Sequence, residues 1–346
     1  MESERNRVLA QMGYRDDWIS QVHEDVIDPG REIVDPHHHL WSRGGSVYET
    51  DQWMAETATG HNVVQSVFIE CRAYYRAGGL DHLKPVGETE AVARMAAESR
   101  ARGDGAEIAA IVSHADLRGD ALDAVLDAHH SAGQGLFRGI RHAGSHPVDP
   151  DPLVIPGRAP AGLYADPAFR RGVQRLGERG LTYDTWHYHY QNRDFVDLAR
   201  ACPGTMMVLD HFGTPLGVGV FSGKRSEIFE TWKEDMRTLA SCPHVVAKLG
   251  GMAMPDNGFG WHLQEKPPTS DDFVAAQADW YHHMIDVFGP DRCMFESNYP
   301  VDKVSIGYRV LWNGLKKIAG RYAEAEQDAM FAGTARRVYD IEVPAA

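Results

Sequence analysis

The chain has 346 residues, 43% hydrophobic and 24% charged, a soluble globular balance with enough length for one large α/β barrel or two ordinary domains. A formal charge of −14 and a pI near 5.7 argue against nucleic acid or an anionic membrane surface as partner, though local arginines can still hold a small anion. Four scattered cysteines (Cys71, Cys202, Cys242, Cys293) form no CxxC pair, the charged N-terminus lacks an apolar leader, and no stretch approaches eighteen apolar residues. These features predict a cytoplasmic protein with no disulfide framework and no membrane span; a homo-oligomer is left open.

Residues 5–26 read as a helical extension, so the chain divides into an extension over 1–30 and a single barrel over 31–346. Apolar strand-like runs then alternate with helical patterns. Strand one is 33–39. Strand two, 63–72, leads to a helix at 88–102, and strand three, 108–114, to one at 121–132. Strand four, 135–141, is followed by a helix near 167–179. Strand five, 181–189, leads to a helix at 193–201, and strand six, 206–211, to one at 226–241. Strand seven, 245–249, leads to a helix at 270–288, and strand eight, 293–297, to helices near 304–320 and 324–338. Eight strands, each followed by helix, is the arithmetic of a (β/α)8 TIM barrel. A doubly wound sheet would carry a glycine-rich phosphate loop after strand one, and here that strand ends in histidines. The long irregular segments 40–62, 72–87, 142–165, 212–225 and 250–269 all follow strands, so they are expected as lids on the C-terminal face.

Strand one carries the clearest chemistry, Ile33-Val34-Asp35-Pro36-His37-His38-His39-Leu40-Trp41. In a strand His37 and His39 share a face, about 6.6 Å apart along the backbone, where two imidazoles can converge on one ion. His38 faces the other way and reads as structural. The alternative for His37 and His39 is a hydrogen-bonding pair in a metal-free pocket. Polar residues recur at the other strand ends: Glu70 and Arg72, His114, Arg141 and His142, His187, His189 and Gln191, Asp210 and His211, Lys248, Glu296 and Asn298. Core strands rarely carry such groups unless they are paired or ligating, so the polar cap predicts a site.

The Val-Asp-Pro-His-His-His-Leu-Trp opening, Gly139-Ile140-Arg141, 209–215 (Leu-Asp-His-Phe-Gly-Thr-Pro) and 295–300 (Phe-Glu-Ser-Asn-Tyr-Pro) resemble the amidohydrolase superfamily. Within it they are similar to the amidohydrolase-related branch of sugar lactonases and 2-pyrone-4,6-dicarboxylate lactonase, over about residues 31–340. The resemblance implies a distorted barrel that hydrolyses a C–O bond at its mouth. It also implies that His37, His39 and a strand-five histidine, His189, bind a divalent metal, with His211 as the strand-six histidine. Zinc is the default ion for an imidazole-rich shell.

One position departs from the family pattern. Where strand eight ordinarily carries an Asp, this chain has Asn298, and a neutral amide cannot act as a general base. Glu296, of the same parity, is the nearest replacement and Asp302 the second. The expected function is hydrolysis of a lactone, ester or related cyclic carbonyl in a small carboxylated or aromatic substrate. His211, Glu296, Asn298 and Arg141 are the catalytic candidates, and Glu70, Arg72, Trp186, Gln191 and Tyr299 would contact substrate. The alternative reading is a non-oxidative decarboxylase of an aromatic acid, which would favour a strand-eight acid that this chain lacks.

Overall fold

The computed structural model describes residues 15–343 except Gly44; the first part of the expected extension, 5–14, lies outside them. Within the rest of that extension, the helix is a single turn, Asp16–Ile19 (α1). Ten strands follow in chain order. They are β1 (Glu32–His38), β2 (Trp41–Arg43), β3 (Ser46–Tyr48), β4 (Asn62–Ile69), β5 (Glu107–Ser113), β6 (Phe137–Arg141), β7 (Thr182–Thr185), β8 (Met207–Leu209), β9 (Val245–Leu249) and β10 (Cys293–Phe295). All except the β2–β3 hairpin form one eight-stranded parallel sheet in the order β1-β4-β5-β6-β7-β8-β9-β10. The seam is closed just beyond β10. His39 N–H donates to the Tyr299 carbonyl at 2.8 Å and Asn298 N–H to the His37 carbonyl at 3.0 Å. The sheet is therefore a nearly closed (β/α)8 barrel, as the strand count implies.

Two apolar layers follow from strand parity. Val34, Val67, Ala110, Val112, Val208, Val246 and Met294 point inward and meet Ala335, Val338 and Tyr339 of the C-terminal helix Thr334–Tyr339, which plugs the bottom of the barrel. The opposite strand faces pack under the surrounding helices, which include Val86–Arg102, Arg225–Ala240 and Ser270–Phe288. A bulge in β1 between Asp35 and His38 shifts the register. Val34 is thus inside although His37 and His39, of opposite parity, also face inward. His38 is outside, stacked on Trp53 at 4.0 Å between ring centres. Asp35 fixes the bulge: its buried carboxylate accepts from His37 N (3.3 Å), Ser297 N (3.0 Å) and the Tyr308 hydroxyl (3.0 Å).

Several expected elements differ. The 40–62 segment holds the β2–β3 hairpin and the helix Thr50–Thr57, started by a Glu49/Gln52 capping box. Strand five stops at Thr185, because the Trp186 carbonyl accepts from Gly144 N (3.0 Å) and Ser145 N (3.1 Å) of the neighbouring loop and leaves the ladder. Strand six stops at Leu209. His211, Phe212, Gly213 and Thr214 then take left-handed φ values of 53°, 59°, 67° and 45°, a run that costs non-glycine residues about 1–2 kcal/mol each. No helix among the described residues is long and apolar enough to cross a membrane.

Glu88, on the helix Val86–Arg102, organises the turn after β4 by accepting from Ala73 N (2.6 Å) and Cys71 N (3.2 Å). Burial, and then the neighbouring Glu70, push its pKa up to about 8. Between about pH 4, the ordinary carboxyl range, and pH 8 the native state holds a proton there that the unfolded chain releases. This group's contribution to stability is therefore fully present below pH 4 and falls as pH rises through the window. Glu88→Gln, which keeps an acceptor but cannot ionise, is expected to flatten that part of the slope in denaturant titrations across pH 5–8; an unchanged slope would show that Glu88 does not carry it.

Candidate active site

At the barrel mouth the inward side chains of seven strands converge on one buried carboxylate. Glu296, just past β10 and fully buried, faces two imidazoles: it accepts from His211 Nδ1, 2.6 Å from Oε1, and His37 Nδ1 lies 2.9 Å from Oε2 as an ion-pair contact. Burial alone would raise its pKa; His211 and His37 outweigh that and hold it down to about 2. His39 Nδ1 is committed elsewhere, to the Ile69 carbonyl at 2.8 Å. His39 and His211 thus have Nδ1 engaged by an acceptor, which leaves Nε2 as their lone-pair atom, while His37 Nδ1 lies between Glu296 and the Lys248 ammonium. His37 Nε2 and His39 Nε2 are 3.2 Å apart, and the His37 and His211 ring centres are 4.4 Å apart. Burial, with Lys248 adding to it at His37 and Arg141 at His39, lowers both pKa values well below the usual histidine range. Both rings are neutral near pH 7, the form that ligates a metal.

Two cations lie beside this centre, and both are already paired. Arg141 donates from Nε to Glu70 Oε1 at 3.0 Å and from Nη2 to the Glu70 carbonyl. Its Nη1 reaches Asp210 Oδ2 at 3.5 Å and His37 Nε2 at 3.4 Å. Lys248, with no exposed surface, sits 2.9 Å from Asp184 Oδ2, 3.1 Å from Asp210 Oδ1 and 3.3 Å from His37 Nδ1. Burial would lower its pKa, but Asp184 and Asp210 more than offset that and raise it. Asp184 also accepts from the Tyr339 hydroxyl at 2.5 Å and from Thr182 Oγ1 at 2.9 Å, the donor set of an ionised carboxylate. Glu70, Asp184, Asp210 and Glu296 thus surround the two side-chain cations Arg141 and Lys248.

Among the described residues, one group of three or more His, Cys, Asp and Glu is placed to hold an ion: His37, His211 and Glu296, with donor atoms within 4.8 Å of one another. The donor set fits a divalent cation. Two nitrogens each 2.0–2.1 Å from a tetrahedral ion stand about 3.3 Å apart, close to the His37–His39 separation. The 2.6 Å between Glu296 and His211 is too short for two ligands of one ion and marks a hydrogen bond, so Glu296 orients the rings. The Arg141 charge near His37 Nε2 is offset by Glu70 and Asp210.

Other sequence-singled residues lie at varied distances from this centre. Asn298, at φ 54°, donates from Nδ2 to Asp302 Oδ1 at 2.9 Å, and Asp302 Oδ2 accepts from Ala253 N at 3.2 Å. Arg72 is exposed, at φ 63°, and Glu70 pairs with Arg141 rather than with it. Tyr299 is fully buried with its hydroxyl donated to the Ile306 carbonyl at 2.5 Å. His187 is buried with Nε2 on Asn192 Oδ1 at 3.1 Å and Nδ1 facing the Tyr164 hydroxyl. His189 is not brought to the cluster: it begins the turn His189–Gln191, accepts from Leu216 N at 3.2 Å and packs on Phe221. Gln191 spends its amide on the 142–165 loop, donating to the Gly144 carbonyl and accepting from His146 N. His114 and His142 sit at the rim, on the Arg141 carbonyl and Leu117 N respectively.

Sequence reading did not single out Gly250 and Gly251. A Cβ on Gly250 would stand 2.4 Å from Glu296 Cγ, and one on Gly251, at φ 69°, 2.2 Å from His211 Nδ1. The pair makes the room in which Glu296 and His211 meet. The Gly-Gly after an apolar strand was the available signal.

The amidohydrolase family model matches residues 34–341. L-fucono-1,5-lactonase of Burkholderia multivorans is 27% identical over 326 residues, covering 90% of this chain and 97% of that protein. A crystal structure of an amidohydrolase from Burkholderia multivorans with bound HEPES is 25% identical with a TM-score of 0.70, over 90% of this chain and 99% of that one; another, with bound zinc, is 24% identical with a TM-score of 0.69 over the same shares. A Pseudomonas putida protein named for 2-pyrone-4,6-dicarboxylic acid hydrolysis shares the fold at 17% identity and a TM-score of 0.59, over 90% and 98% of the two chains. With its parallel barrel and imidazole-lined mouth, this chain is a hydrolase that belongs to the amidohydrolase family, on the lactonase-like side of it.

Proposed function

We propose that this protein hydrolyses the ring ester of a small lactone, with a divalent cation, zinc by donor preference, held through Nε2 of His37, His39 and His211. The observation that carries the reading is the meeting of three imidazoles at one strand mouth, with Nδ1 of His39 and His211 committed to acceptors, Nε2 of His37 and His39 3.2 Å apart, and the His37 and His211 ring centres 4.4 Å apart. The lactonase relative and the zinc in a related crystal structure support the same chemistry. Such an ion supplies Lewis acidity toward the lactone carbonyl. Arg141 is the permanent cation nearest that carbonyl and stabilises charge developing on its oxygen. Glu70 Oε2, buried and without a hydrogen-bond partner, is an acceptor for a substrate hydroxyl. Asn298, its Nδ2 committed to Asp302, turns its carbonyl oxygen to the attacking water and orients it without deprotonating it. Behind it, burial pushes Asp302 up to about 7, so this carboxyl can hold a proton close to neutrality.

The reading is tested by proton release from a panel of five- and six-membered lactones in weakly buffered indicator, with metal analysis of the same preparation. Lactone-dependent acid release that chelation abolishes and zinc restores is the expected result. Evolution of CO2 from aromatic acids without lactone turnover would establish the decarboxylase reading instead.

Two substitutions separate the roles. Glu296→Gln is expected to lower metal affinity and kcat by about 10–100-fold, the usual weight of a group that orients ligands. It should leave the acidic limb of the pH–rate profile in place; loss of that limb would make Glu296 the base itself. Gly251→Ala, which drives a methyl into His211, is expected to cost at least as much activity while the barrel keeps its far-ultraviolet dichroism. Wild-type kinetics in Gly251→Ala would show that His211 does not need its observed position.

A further inference from the structure

The loops after β6, β7 and β8 share a small hydrophobic cluster. Leu153, Tyr188 and Leu216 are buried together, with Trp186, Tyr190, Val218 and Phe221 packed on them; this cluster adjoins the larger barrel core, on which Phe221 also packs and to which Val154, Leu163 and Met254 of the neighbouring loops belong. Its members come from segments 142–165, 186–191 and 212–225. Polar contacts lace the same segments. Gly157 N donates to the Tyr188 hydroxyl at 2.7 Å, the Tyr190 hydroxyl to the His146 carbonyl at 2.7 Å, and Leu216 N to His189 Nδ1 at 3.2 Å.

One side chain fastens this assembly to the fourth segment, 250–269. Asp256 is buried, and its carboxylate accepts from two successive backbone amides of the first loop, Val154 N at 2.7 Å and Ile155 N at 3.1 Å. Its own carbonyl accepts from Gly217 N at 2.9 Å, and the next residue, Asn257, donates from Nδ2 to the Pro215 carbonyl at 2.7 Å. The backbones touch here: a Cβ on Gly217 would stand 2.2 Å from the Asn257 carbonyl oxygen, and one on Gly258 2.3 Å from that of Gly217. Segment 250–269 begins with the two glycines that make room for Glu296 and His211. A displacement of the Asp256 anchor is therefore passed along six residues to the catalytic cluster.

We infer that these segments form one lid, three of them sharing a small core, that opens and closes over the barrel mouth as a unit, and that Asp256 is the positioning residue that latches it. Two charge-assisted hydrogen bonds to one loop and two further bonds to another make Asp256 and Asn257 the point where all three loops meet. The small core explains why they move together, since opening any one of them exposes apolar surface belonging to the others. His189, Gln191 and Trp186 act in this lid, in holding and shaping the wall above the site.

Native-state hydrogen exchange tests the unit on the wild-type chain. Amides over 144–159, 186–191, 214–222 and 254–258 are expected to share one opening equilibrium, weaker in protection than the strands β1, β4 and β5. Independent exchange of these segments, or protection equal to the strands, overturns the proposal. Asp256→Ala should then speed exchange in all four segments together by about tenfold or more, the weight of one charge-assisted hydrogen bond, while strand protection stays constant. In the same variant KM for a turned-over lactone should rise by a similar factor with kcat changed much less. This kinetic arm rests on the lactonase reading and the exchange arm does not, so failure to find a lactone substrate leaves the lid test standing. Leu153→Ala, which loosens the small core without touching the latch, should reproduce the joint change in exchange; a change confined to 142–165 in both variants would show three separate loops.

Discussion

A carboxylate with no exposed surface cannot stay ionised without donors, and at the centre of this barrel Glu296 finds them in two imidazoles from distant strands. That one constraint reaches through the site. His37 must present Nδ1 from β1, so the β1 bulge is held by Asp35, whose carboxylate also ties β1 to Ser297 and closes the barrel seam. His211 must present Nδ1 from the end of β8, so the chain there enters four successive left-handed residues. Gly250 and Gly251 must be glycines for the pair to meet. Strain of this kind survives only where the surroundings over-determine it, and here two imidazole bonds and a closed seam do so.

The relocation of the strand-eight acid is intelligible in the same terms. Glu296 and Asn298 share strand parity, so either position faces the mouth. At 296 the carboxylate reaches the Nδ1 side of the rings and serves as their orienting acceptor. The amide at 298 then presents one donor and one acceptor, with the donor spent on Asp302. The cations follow a similar economy. Arg141, a catalytic candidate from the sequence, and Lys248, a strand-end polar residue, are both enclosed by acids: Arg141 by Glu70 and Asp210, Lys248 by Asp184 and Asp210. Both offset the buried carboxylates around them, and Arg141 still turns Nη1 toward His37 Nε2 at the mouth.

The sequence made the strand order legible because each buried parallel strand is a short apolar run bounded by turn signals. It also made the inward pair His37 and His39 legible, because the two lie a period of two apart and both face inward beyond the shift that follows Asp35. What it could not reveal was where strands end. Thr185 ends β7 because the next carbonyl is taken by amides of a loop forty residues away, and no local pattern encodes that bond. His189 therefore read as a strand-end residue beside His187, while in the fold it belongs to the wall built by Leu216 and Phe221. Tyr299 misled for a related reason: an aromatic beside the mouth motif faces the seam as readily as the pocket, and its hydroxyl is used by Ile306. The contacts that residues 15–18 make were not legible in the sequence. Arg15 donates to the carbonyls of His262 and Val304, and Trp18 to that of Gln264, so they grip the loops beyond β9 and β10 from outside.

The division of labour between barrel and loops has a physical origin. Strand ends can fix three imidazoles and a carboxylate because the ladder leaves each strand no freedom to slide, and a rigid mouth is what metal-ligand geometry demands. A rigid mouth by itself neither admits a substrate nor excludes bulk water. Loops long enough to do both would be floppy if each stood alone, since a connection without its own packing pays its ordering entropy unaided. Sharing one small core among three loops spreads that cost, and a buried carboxylate bonded to successive amides gives the shared body a defined closed position. Rigidity is thus spent where bonds are made and broken, and cooperative mobility is kept in the layer above, joined to it at Gly250 and Gly251.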